Sequence, residues 1–326
     1  MHESVSIIIR SYNEEEHIGR LLEGIFEQSV KNIEVIIVDS GSTDKTLEIA
    51  KTFPVIVHEI TPSEFSFGRA LNLGCQAAIG EFFVMASAHV YPVYKDWLKK
   101  LLSPFGDPKI GAVYGKQRGC DTTKYSEHQI LNKWFPDESN FSQEHPFFNN
   151  ANAAIRSKLW KRIPYDETLT GLEDIDWANR VLKLAFKIAY SAESEVIHVH
   201  NETTRQIFNR YRREALAMKR TFPQEKFSLW DFFRLVTVNS INDIYHSLHD
   251  NVFWDNFANI IAFRIMQFWG TYMGYARRGP ITHQLRQTFY YPNGLSRKLS
   301  EFKPPDLRKR IEYACKRSNG QTKPYN

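Results

Sequence analysis

Short apolar runs alternate with amphipathic stretches along the first 86 residues. Four of these runs are rich in β-branched or aromatic residues and predict buried strands: Ser4–Arg10, Ile33–Val38, Pro54–Ile60 and Glu81–Ala86. Two of the intervening stretches repeat apolar residues at helical spacing: Glu14–Gln28 and Ala70–Ile79. Strands separated by helices of this length indicate right-handed βαβ units, so the sequence predicts an α/β fold with a largely parallel sheet.

The pattern changes twice after this first part. Between residues 92 and 165 the periodicity weakens and turn residues multiply, which predicts loops and antiparallel strands in a mixed sheet. A helix is predicted over Asp174–Leu184 and a strand over Glu195–Val199. The chain then becomes mostly helical, with three long candidates: Thr204–Arg220, Leu229–Leu248 and Asn256–Arg277. We therefore expect an α/β unit over residues 1–202 and a helical extension over residues 203–326.

The net charge is unevenly divided between these two parts. The 326 residues sum to +5, yet residues 1–200 hold 21 Lys and Arg against 27 Asp and Glu, whereas residues 201–326 hold 21 against 10. An acidic body of −6 thus precedes a basic tail of +11, which is also rich in aromatic residues. Such a tail indicates contact with an anionic partner: a membrane surface, a nucleic acid or an acidic polymer.

Composition narrows the class of protein. Hydrophobic residues at 42% and charged residues at 24% exclude a disordered or fibrous chain. Three widely spaced cysteines form neither a disulfide framework nor a Cys-based zinc site, which fits a reducing cytosol. No leader is visible near Met1, and the apolar window Phe257–Tyr275 is interrupted by Arg264 and Gln267. We expect a cytoplasmic protein that lies on a membrane rather than crossing it.

The first group with candidate chemistry is the turn Asp39-Ser40-Gly41-Ser42-Thr43-Asp44, which follows a predicted strand. In a parallel sheet, ligands bind beyond the carboxyl ends of the strands. Asp39 there can accept hydrogen bonds from a nucleotide, and free N–H groups at the next helix can receive an anion. The alternative is a capped turn, in which Ser42 or Thr43 caps that helix. The turn matches neither a GxGxxG loop nor a Walker A motif.

The second group is Gly171-Leu172-Glu173-Asp174-Ile175-Asp176-Trp177, where three carboxylates crowd a helix N-terminus. The helix dipole stabilises negative charge at that end, so capping is one explanation. The other is that one carboxylate serves as a base beside a substrate hydroxyl.

The third group is made of histidines. His89 follows the fourth predicted strand, and alternation along a later strand places His198 and His200 on one face. Ordinary hydrogen-bonded histidines and a metal site are both open readings, and the metal site gains weight only if the sheet brings His89 beside the pair.

Taken in order, these groups resemble the family-2 glycosyltransferases of the GT-A fold, of the bacterial surface-polysaccharide type. Those enzymes invert the anomeric configuration and use nucleotide-sugar donors. The resemblance rests on five segments: Arg10–Glu15 (RSYNEE), Val38–Thr46 (VDSGSTDKT), Arg69–Gly74 with Ala78–Glu81, Asn149–Asn152 and Gly171–Trp177. Together they cover about two-thirds of the chain, from Ser4 to His200, and their order is more specific than any single segment.

The resemblance implies roles for individual residues. Asp174 becomes the general base with Glu173 beside it, and Asp39 contacts the nucleotide base. The implied donor-binding set is Arg10, Tyr12, Asn13, Glu15, Asp39, Ser42, Asp44, Arg69, Ser87 and His89. The expected acceptor-binding residues are Asn150, Trp177 and Arg210.

One position departs from the family pattern. Members normally carry Asp-x-Asp after the fourth strand to bind Mg²⁺ or Mn²⁺, whereas this chain reads Ser87-Ala88-His89. Some related GT-A transferases use Asp-x-His with a later His, and His89 with His200 or His198 would imitate that set. Imidazole suits Mn²⁺ better than Mg²⁺. The alternative is a metal-independent enzyme in which cationic side chains neutralise the diphosphate: Arg69, Lys116 or Arg118.

The basic aromatic tail has two interpretations. It is either a helical subdomain with a solvated basic face, or an interfacial surface for anionic lipid or a lipid-diphosphate acceptor. Nucleic acid is disfavoured, because nothing in the chain resembles a nucleic-acid module. Oligomerisation through the helical extension is a further expectation.

The leading hypothesis is an inverting glycosyltransferase at the inner face of the cell membrane that extends a glycan or lipid-linked glycan. The competing hypothesis is a catalytically silent GT-A-like subunit that binds a nucleotide or glycan, motivated by the missing Asp-x-Asp carboxylates. The intact Glu173-Asp174 pair favours the enzyme.

Overall fold

A computed structural model describes residues 4–279, 281, 282, 285, 289, 290, 314–316 and 322–324. Its strands are β1 (Val5–Ser11), β2 (Ile33–Asp39), β3 (Ile56–Glu59), β4 (Phe82–Ser87), β5 (Val90–Pro92), β6 (Ile110–Arg118), β7 (Asn140–Gln143), β8 (Asn152–Arg156), β9 (Lys187–His198), β10 (Ala314–Lys316) and β11 (Thr322–Pro324). Its α-helices are α1 (Ile18–Phe26), α2 (Thr46–Ala50), α3 (Phe67–Ala77), α4 (Trp97–Leu102), α5 (Tyr125–Trp134), α6 (Ser157–Arg162), α7 (Glu173–Lys183), α8 (Thr204–Thr221), α9 (Leu229–His249) and α10 (Phe253–Ala276).

The central sheet is mixed and mainly parallel, as the sequence predicts. Its strand order is β3-β2-β1-β4-β8-β6-β9-β5, and β7 pairs with β9 outside this path. Strands β3, β2, β1 and β4 run parallel, and so do β6 and β9. Strand β8 is antiparallel to β4 and β6, and β5 is antiparallel to β9. The predicted α/β fold with a mixed region after β4 is confirmed.

The register of the sheet gathers the candidate residues at one edge. Ser11 pairs with Asp39 across β1 and β2, and Arg10 pairs with Ser87 across β1 and β4. Strand β5 runs back along β9 so that Val90 faces His198. Because His89 immediately precedes Val90, this antiparallel pair brings the end of the fourth strand next to the late histidines.

Two apolar layers hold the sheet. On one face, Ile7 and Ile9 pack with the predicted apolar face of α1, and on the other Ile8 packs with α3 and α7. Burial on both faces explains why β1 and β2 read as continuous apolar runs. At Gly74 a Cβ would lie 2.4 Å from Ile8 Cγ2, so the glycine permits α3 to approach the sheet closely.

The helical extension packs on itself through small residues. Helices α8 and α10 approach so closely that a Cβ at Gly270 would lie 2.4 Å from the Phe208 carbonyl oxygen. Helix α9 buries a polar stripe, in which Asp243 pairs with Arg264 of α10 at 2.7 Å. In consequence α9 turns its apolar side chains outward, with Trp230 73% and Tyr245 67% exposed.

No helix among the described residues is both long and apolar enough to cross a bilayer.

Three local predictions need correction. The first helix begins at Ile18 rather than Glu14, because Asn13 adopts φ +53° and Glu14 donates its N–H to Thr46 Oγ1 in another loop. Neither Ser42 nor Thr43 caps α2, which begins at Thr46 without a side-chain cap. Strand β9 starts at Lys187, eight residues before the predicted strand, because β6 supplies it with a parallel partner.

Candidate active site

The loops after β1 and β2 are joined by reciprocal hydrogen bonds. Asn13 donates its N–H to Ser42 Oγ at 2.8 Å, and Thr43 donates its N–H to Asn13 Oδ1 at 2.8 Å. Glu15 donates its N–H to Asp44 Oδ2 at 3.1 Å, and its own carboxylate accepts from Lys45 N–H at 2.9 Å. These contacts hold four of the expected donor-binding side chains in one rigid wall at the carboxyl edge of the sheet.

Asp39 organises that wall from within. Its side chain is fully buried, and its carboxylate accepts hydrogen bonds from four donors: Ser11 Oγ (2.8 Å), Gly41 N–H (3.0 Å), Ser42 N–H (2.8 Å) and Ser42 Oγ (2.6 Å). Contact between Asp39 and a nucleotide base therefore requires one hydroxyl donor to turn away. Its role as a base contact stays a prediction, whereas its hold on the turn is direct.

Three histidines meet beside this wall. The candidate ligand atoms of His89, His198 and His200 all lie within 4.8 Å of one another. The rings of His89 and His198 stack with centroids 5.1 Å apart, and the Nε2 atoms of His198 and His200 are separated by 2.9 Å. The pairing of β5 with β9 thus brings His89 beside His198 and His200, a question that the sequence alone left open.

The outer nitrogen of each ring has an oxygen partner. His89 Nδ1 lies 2.8 Å from Glu14 Oε1, His198 Nδ1 lies 2.7 Å from Gln117 Oε1, and His200 Nδ1 lies 2.7 Å from Glu127 Oε1. Oxygen acceptors at Nδ1 fix the proton there and leave Nε2 as a lone-pair donor, the arrangement found around bound metals. Two Nε2 atoms 2.9 Å apart need a proton or a cation between them, so this set of side chains fits a divalent metal.

Electrostatics around the histidines favours neutral imidazole at the centre. Burial, with His200 and His89 nearby, lowers the pKa of His198 well below its ordinary value. Burial also acts to lower the pKa of His89, but the Glu14 carboxylate outweighs it and the net pKa is raised. Neutral imidazole is the form that ligates metals, so these shifts favour His198 as a ligand, whereas His89 would have to release a proton to bind one.

Arg210 lies behind the histidines. Its guanidinium contacts Glu127 and Glu202, both at 2.8 Å, and lies 3.4 Å from His200 Nδ1. Burial would raise the pKa of Glu127, yet Arg210 and His200 outweigh it and hold that pKa well below the usual range. Arg210 therefore holds Glu127 and Glu202 behind the histidines in this structure, and its predicted contact with an acceptor stays a prediction.

The second chemical group is the carboxylate pair at the start of α7. Glu173 is buried and forms a 3.0 Å ion pair with Arg10 of β1. Asp174 is half-buried, and its carboxylate accepts the Asn150 N–H at 3.2 Å and the Ile175 N–H at 2.8 Å. Burial and the adjacent Glu173 raise the pKa of Asp174 to about 7. A carboxylate with this pKa can take a proton at neutral pH.

Backbone strain marks the same place. Leu172, which precedes the pair, adopts φ +54° in the left-handed region, a conformation that costs a leucine on the order of 1 kcal/mol. Strain of this kind is found where a fold holds a reactive group in a fixed position.

Two expected acceptor residues have different positions. Asn150 is buried beside Asp174, and its Nδ2 has no hydrogen-bond partner, so it has a donor to offer. Trp177 is fully buried among Phe148 and Tyr165 and donates its Nε1–H to the Ile163 carbonyl at 2.6 Å. A direct acceptor contact by Trp177 does not fit this burial; its helical position one turn beyond Glu173 places it on the core face.

The remaining donor candidates lie around the same edge. Tyr12 and Ser87 are half-buried, and Ser87 Oγ lies 3.1 Å from His89 Nε2. Arg69 is about 41% exposed, with Glu64 and Glu167 no nearer than 3.7 Å. Lys116 and Arg118 both contact Asp137, and Lys116 also pairs with Glu195 at 2.7 Å. Of the three cations considered for a diphosphate, Arg69 is therefore the least tightly paired.

Several site residues escape sequence reasoning. Glu14, Glu127 and Glu202 each contact the histidine cluster or its arginine, although they come from three distant segments. Glu127 gives no local signal, because a carboxylate within an amphipathic helix is expected to be exposed, whereas the structure buries it.

One edge of the mixed, mainly parallel sheet thus carries a polar wall, a half-buried carboxylate of raised pKa and a cluster of three histidines. Residues 6–163, just under half of the chain, match the model of the family described as "Glycosyl transferase family 2", and this match supports a glycosyltransferase.

Curated relatives agree with that assignment. The chain is 33% identical over 196 residues to the "O-antigen chain rhamnosyltransferase WbaN" of Salmonella anatum, covering 57% of this chain and 62% of that protein. It is 27% identical over 220 residues to the "O-antigen chain rhamnosyltransferase RfbN" of Salmonella typhimurium, covering 64% and 70%. A 127-residue match at 33% identity covers 34% of this chain and 38% of a "Dolichyl N-acetyl-alpha-D-glucosaminyl phosphate 3-beta-D-2,3-diacetamido-2,3-dideoxy-beta-D-glucuronosyltransferase" of Methanococcus voltae.

The fold is shared with a solved transferase. The mannosyltransferase PcManGT of Pyrobaculum calidifontis, in complex with GDP-Man and Mn²⁺, superposes with a TM-score of 0.55 at 19% identity. The superposition covers 90% of this chain and 88% of that one. At this identity the likeness concerns the fold alone.

Proposed function

We propose that the protein is an inverting glycosyltransferase that moves a sugar from a nucleotide-sugar donor to a hydroxyl of a glycan or lipid-linked glycan. The observation that carries this proposal is Asp174, a half-buried carboxylate of raised pKa next to an arginine-paired Glu173. A solved neighbour of the same fold holds GDP-Man, which supports a nucleotide-sugar donor.

Asp174 acts as the general base. It takes the proton of the acceptor hydroxyl while that oxygen forms a bond to the anomeric carbon. The bond from this carbon to the nucleoside diphosphate breaks, and its electron pair leaves with the diphosphate. Attack opposite the leaving group inverts the anomeric configuration, and one carboxylate suffices because a neutralised diphosphate needs no acid to leave.

Each other group keeps a defined task. The wall of Asn13, Glu15, Asp39 and Asp44 holds the nucleoside, and Arg10 fixes Glu173 so that its charge maintains the raised pKa of Asp174. Asn150 holds the base through its backbone N–H and offers its unpaired Nδ2 to a substrate hydroxyl.

A divalent metal, Mn²⁺ in preference to Mg²⁺, would be held by His89, His198 and His200. When bound, it would neutralise charge on the donor diphosphate. The support is the donor set itself: three imidazoles whose Nδ1 atoms already face oxygen acceptors. The metal-independent alternative assigns this neutralisation to arginine side chains.

The acceptor side is proposed to meet the cytoplasmic face of a membrane. The printed name of one relative includes a dolichyl-linked glycosyl phosphate, and two others act on an O-antigen chain. Phe227 stacks on Tyr275 near the end of α10, where Lys219 of α8 donates to the Tyr275 and Arg277 carbonyls. The exposed Trp230 and Phe233 follow Phe227 at the start of α9. Aromatic and basic side chains together suit an anionic lipid surface.

A test of the base compares Asp174→Asn with Asp176→Asn. Asp176 occupies the same helical turn but pairs with Arg180 at 2.9 Å, so it is a matched control. Nucleotide release from a panel of UDP-, dTDP-, GDP- and CMP-sugars should fall about 100-fold in the first variant and stay within about twofold in the second.

A stability measurement accompanies that test. Because the pKa of Asp174 is raised from 3.8 to about 7 in the folded protein, the unfolded chain loses this proton first, and stability falls as pH rises from 3.8 to about 7. Asp174→Asn should therefore raise the free energy of unfolding at pH 8 and leave it nearly unchanged at pH 4. Wild-type turnover in Asp174→Asn would reject the proposed base, and nucleotide binding without turnover in the wild type would favour the silent subunit.

A further inference from the structure

Two arginines from opposite parts of the chain lie over one phenyl ring beside the proposed base. The guanidinium carbon of Arg10, from β1, lies 4.7 Å from the centre of the Phe67 ring, and that of Arg213, from α8, lies 4.8 Å from it. Cation–π contacts of this kind orient a guanidinium group while leaving its N–H donors available to other partners. Phe67 thus orients both guanidinium groups, each within 5 Å of its ring centre.

Both guanidinium groups border the carboxylate pair of α7. Arg10 binds Glu173 at 3.0 Å. A Cβ at Gly171 would lie 3.3 Å from Arg213 Nε, so the glycine leaves room for that side chain three residues before Asp174. The two arginines therefore flank the start of α7 from the sheet side and from the helical extension.

The two arginines differ in how their charge is balanced. Arg10 has Glu173, whereas no carboxylate among the described residues lies within 4.0 Å of the Arg213 guanidinium. Arg213 Nε is buried without a hydrogen-bond partner. The neighbouring Glu214 attracts Arg213 only at longer range, and burial raises the pKa of that carboxyl. A buried N–H without an acceptor costs stability, so the site lacks an anionic partner.

The same ring is covered on its outer side by apolar side chains. Phe65, Phe67 and Tyr290 form edge contacts with centroids 5.0 to 5.3 Å apart, and Leu216 and Phe289 pack on them. Low polarity around Arg213 strengthens its attraction for an anion, because fewer waters screen the charge. The guanidinium groups of Arg10 and Arg213 are thus held beside apolar side chains.

We propose that Arg213 and Arg10, ordered by Phe67, form a diphosphate-binding subsite beside Asp174. This inference rests on the proposed function, under which two ligands carry a diphosphate: the nucleotide-sugar donor and a lipid-diphosphate acceptor. Two planar guanidinium groups match the several oxygens of a diphosphate through bidentate hydrogen bonds. Arg213 then adds positive charge to the neutralisation of the diphosphate.

The subsite is tested by calorimetric titration of the full chain with three probes: inorganic pyrophosphate, dTDP and farnesyl diphosphate. Arg213→Gln should weaken pyrophosphate binding at least about tenfold. Arg220→Gln is the control, because Arg220 lies on the same helix, is half-exposed and, within the described part of the chain, contacts Asp166 at 3.6 Å and the Thr168 carbonyl. It should change binding less than about twofold.

The other two probes identify the source of the diphosphate. A loss confined to dTDP assigns the subsite to the donor, and a loss confined to farnesyl diphosphate assigns it to the acceptor; either supports the subsite. Equal binding of all three probes by Arg213→Gln and wild type overturns it. If Arg213→Gln does not fold, Arg213→Lys decides, since a lysine keeps the charge without the fork and should bind pyrophosphate more weakly. If the wild type turns over normally and the Arg213 variants bind the probes as well as it does, the subsite alone is rejected. If the wild type binds no nucleotide, the proposed function is rejected as well.

Discussion

At the scale of single residues, Asp174 is governed by two opposing influences. Burial and the adjacent Glu173 disfavour its charged form, while the N–H groups of Asn150 and Ile175 favour it. The net effect is a pKa of about 7, against an ordinary value near 3.8. A carboxylate adjusted in this way is half-ionised at neutral pH and strong enough as a base to accept a hydroxyl proton.

The pH dependence of turnover follows from that pKa. The base must be ionised, so kcat/KM should rise with pH and level off above about 7, falling roughly tenfold for each unit below it. Replacing Arg10 with Gln removes the cation that pairs with Glu173 and favours ionised Asp174, so the inflection should move to higher pH. Initial rates from pH 5.5 to 9 measure both profiles. A flat wild-type profile across this range would contradict the assignment.

The histidine cluster makes a second prediction at this scale. Chelation with EDTA should lower turnover at least about tenfold, and added Mn²⁺ should restore it more fully than Mg²⁺. His200→Ala should weaken Mn²⁺ binding, followed by electron paramagnetic resonance, about tenfold or more. His58→Ala, an exposed histidine on β3, is the control. Unchanged turnover in EDTA would reject the metal and assign neutralisation of the donor diphosphate to arginine side chains.

At the scale of elements, α8 links the two functional parts of the molecule. Its capping box at Thr203 and Gln206 fixes where it begins, directly after the late histidines. It carries Arg210 to the histidine cluster and Arg213 to Phe67, so several basic residues of the tail face the catalytic body rather than solvent. The position of α8 in turn depends on close packing against α10.

That packing is sensitive to one methyl group. Gly270→Ala would place its Cβ 2.4 Å from the Phe208 carbonyl oxygen, so the helices must separate. We expect a loss of about 1–3 kcal/mol in the free energy of unfolding and a lower turnover, because α8 carries both arginines. Gly106→Ala, with nothing within 4 Å of its Cβ, should change stability by less than about 0.5 kcal/mol. Chemical denaturation measures both; equal stability of the two variants would show that α8 and α10 tolerate separation.

At the scale of the whole molecule, the helical extension is apolar on its outer side. Helix α9 buries Ser240, Asp243 and Ser247 and exposes its large apolar side chains: Trp230, Phe233, Val238, Ile241, Tyr245 and Leu248. A continuous apolar face of this kind is unusual on a monomer in water and marks a contact surface. The predicted basic aromatic surface is therefore not a single surface. Arg210 and Arg213 of α8 face the α/β unit, whereas the exposed face of α9 is apolar and aromatic.

Vesicle binding tests this surface. The double variant Trp230→Ser, Ile241→Ser should reduce co-sedimentation with anionic vesicles at least about tenfold, since each buried apolar side chain contributes about 1.5–3 kcal/mol. Ile79→Ser is the control, because Ile79 is 87% exposed but lies on the catalytic body. Binding should weaken with salt through the basic helix ends and persist in part through the apolar face. Absence of vesicle binding at low salt, with a dimer in sedimentation velocity, would assign the face to a second copy instead.

Much of the fold could be predicted from the sequence, because the pattern of apolar residues in a strand or helix indicates which of its faces are buried. Strands β1 and β2 are apolar on both faces, and α1 repeats Ile18, Leu21, Leu22 and Ile25 at helical spacing. The weaker predictions concern ends: β9 is longer than its apolar segment, because hydrogen bonds to β6 extend it past the pattern.

The candidate site is divided in the same way. Asn13, Asp39 and Asp174 could be proposed as site residues from the sequence, because each has a suitable polar side chain and lies in one of the ordered segments that resemble the family. Glu14, Glu127 and Arg213 were not assigned individual roles, because each gains its partners only through folding, even though Glu14 lies within the Arg10–Glu15 segment. Trp177 was expected among the acceptor contacts, and the structure places it in the core, because a motif position does not tell which face of α7 a residue occupies.

The sequence alone therefore determined the class of fold, the order of its elements and the carboxylates available for chemistry, because local periodicity and turn residues depend on neighbours in the chain. Only the tertiary structure decided which histidines meet, which charges are paired and which side of α9 faces outward. Those properties arise from pairings between segments far apart in sequence, such as Val90 with His198 and Arg213 with Phe67. Distance in space, burial and the resulting pKa of Asp174 have no counterpart in a linear pattern.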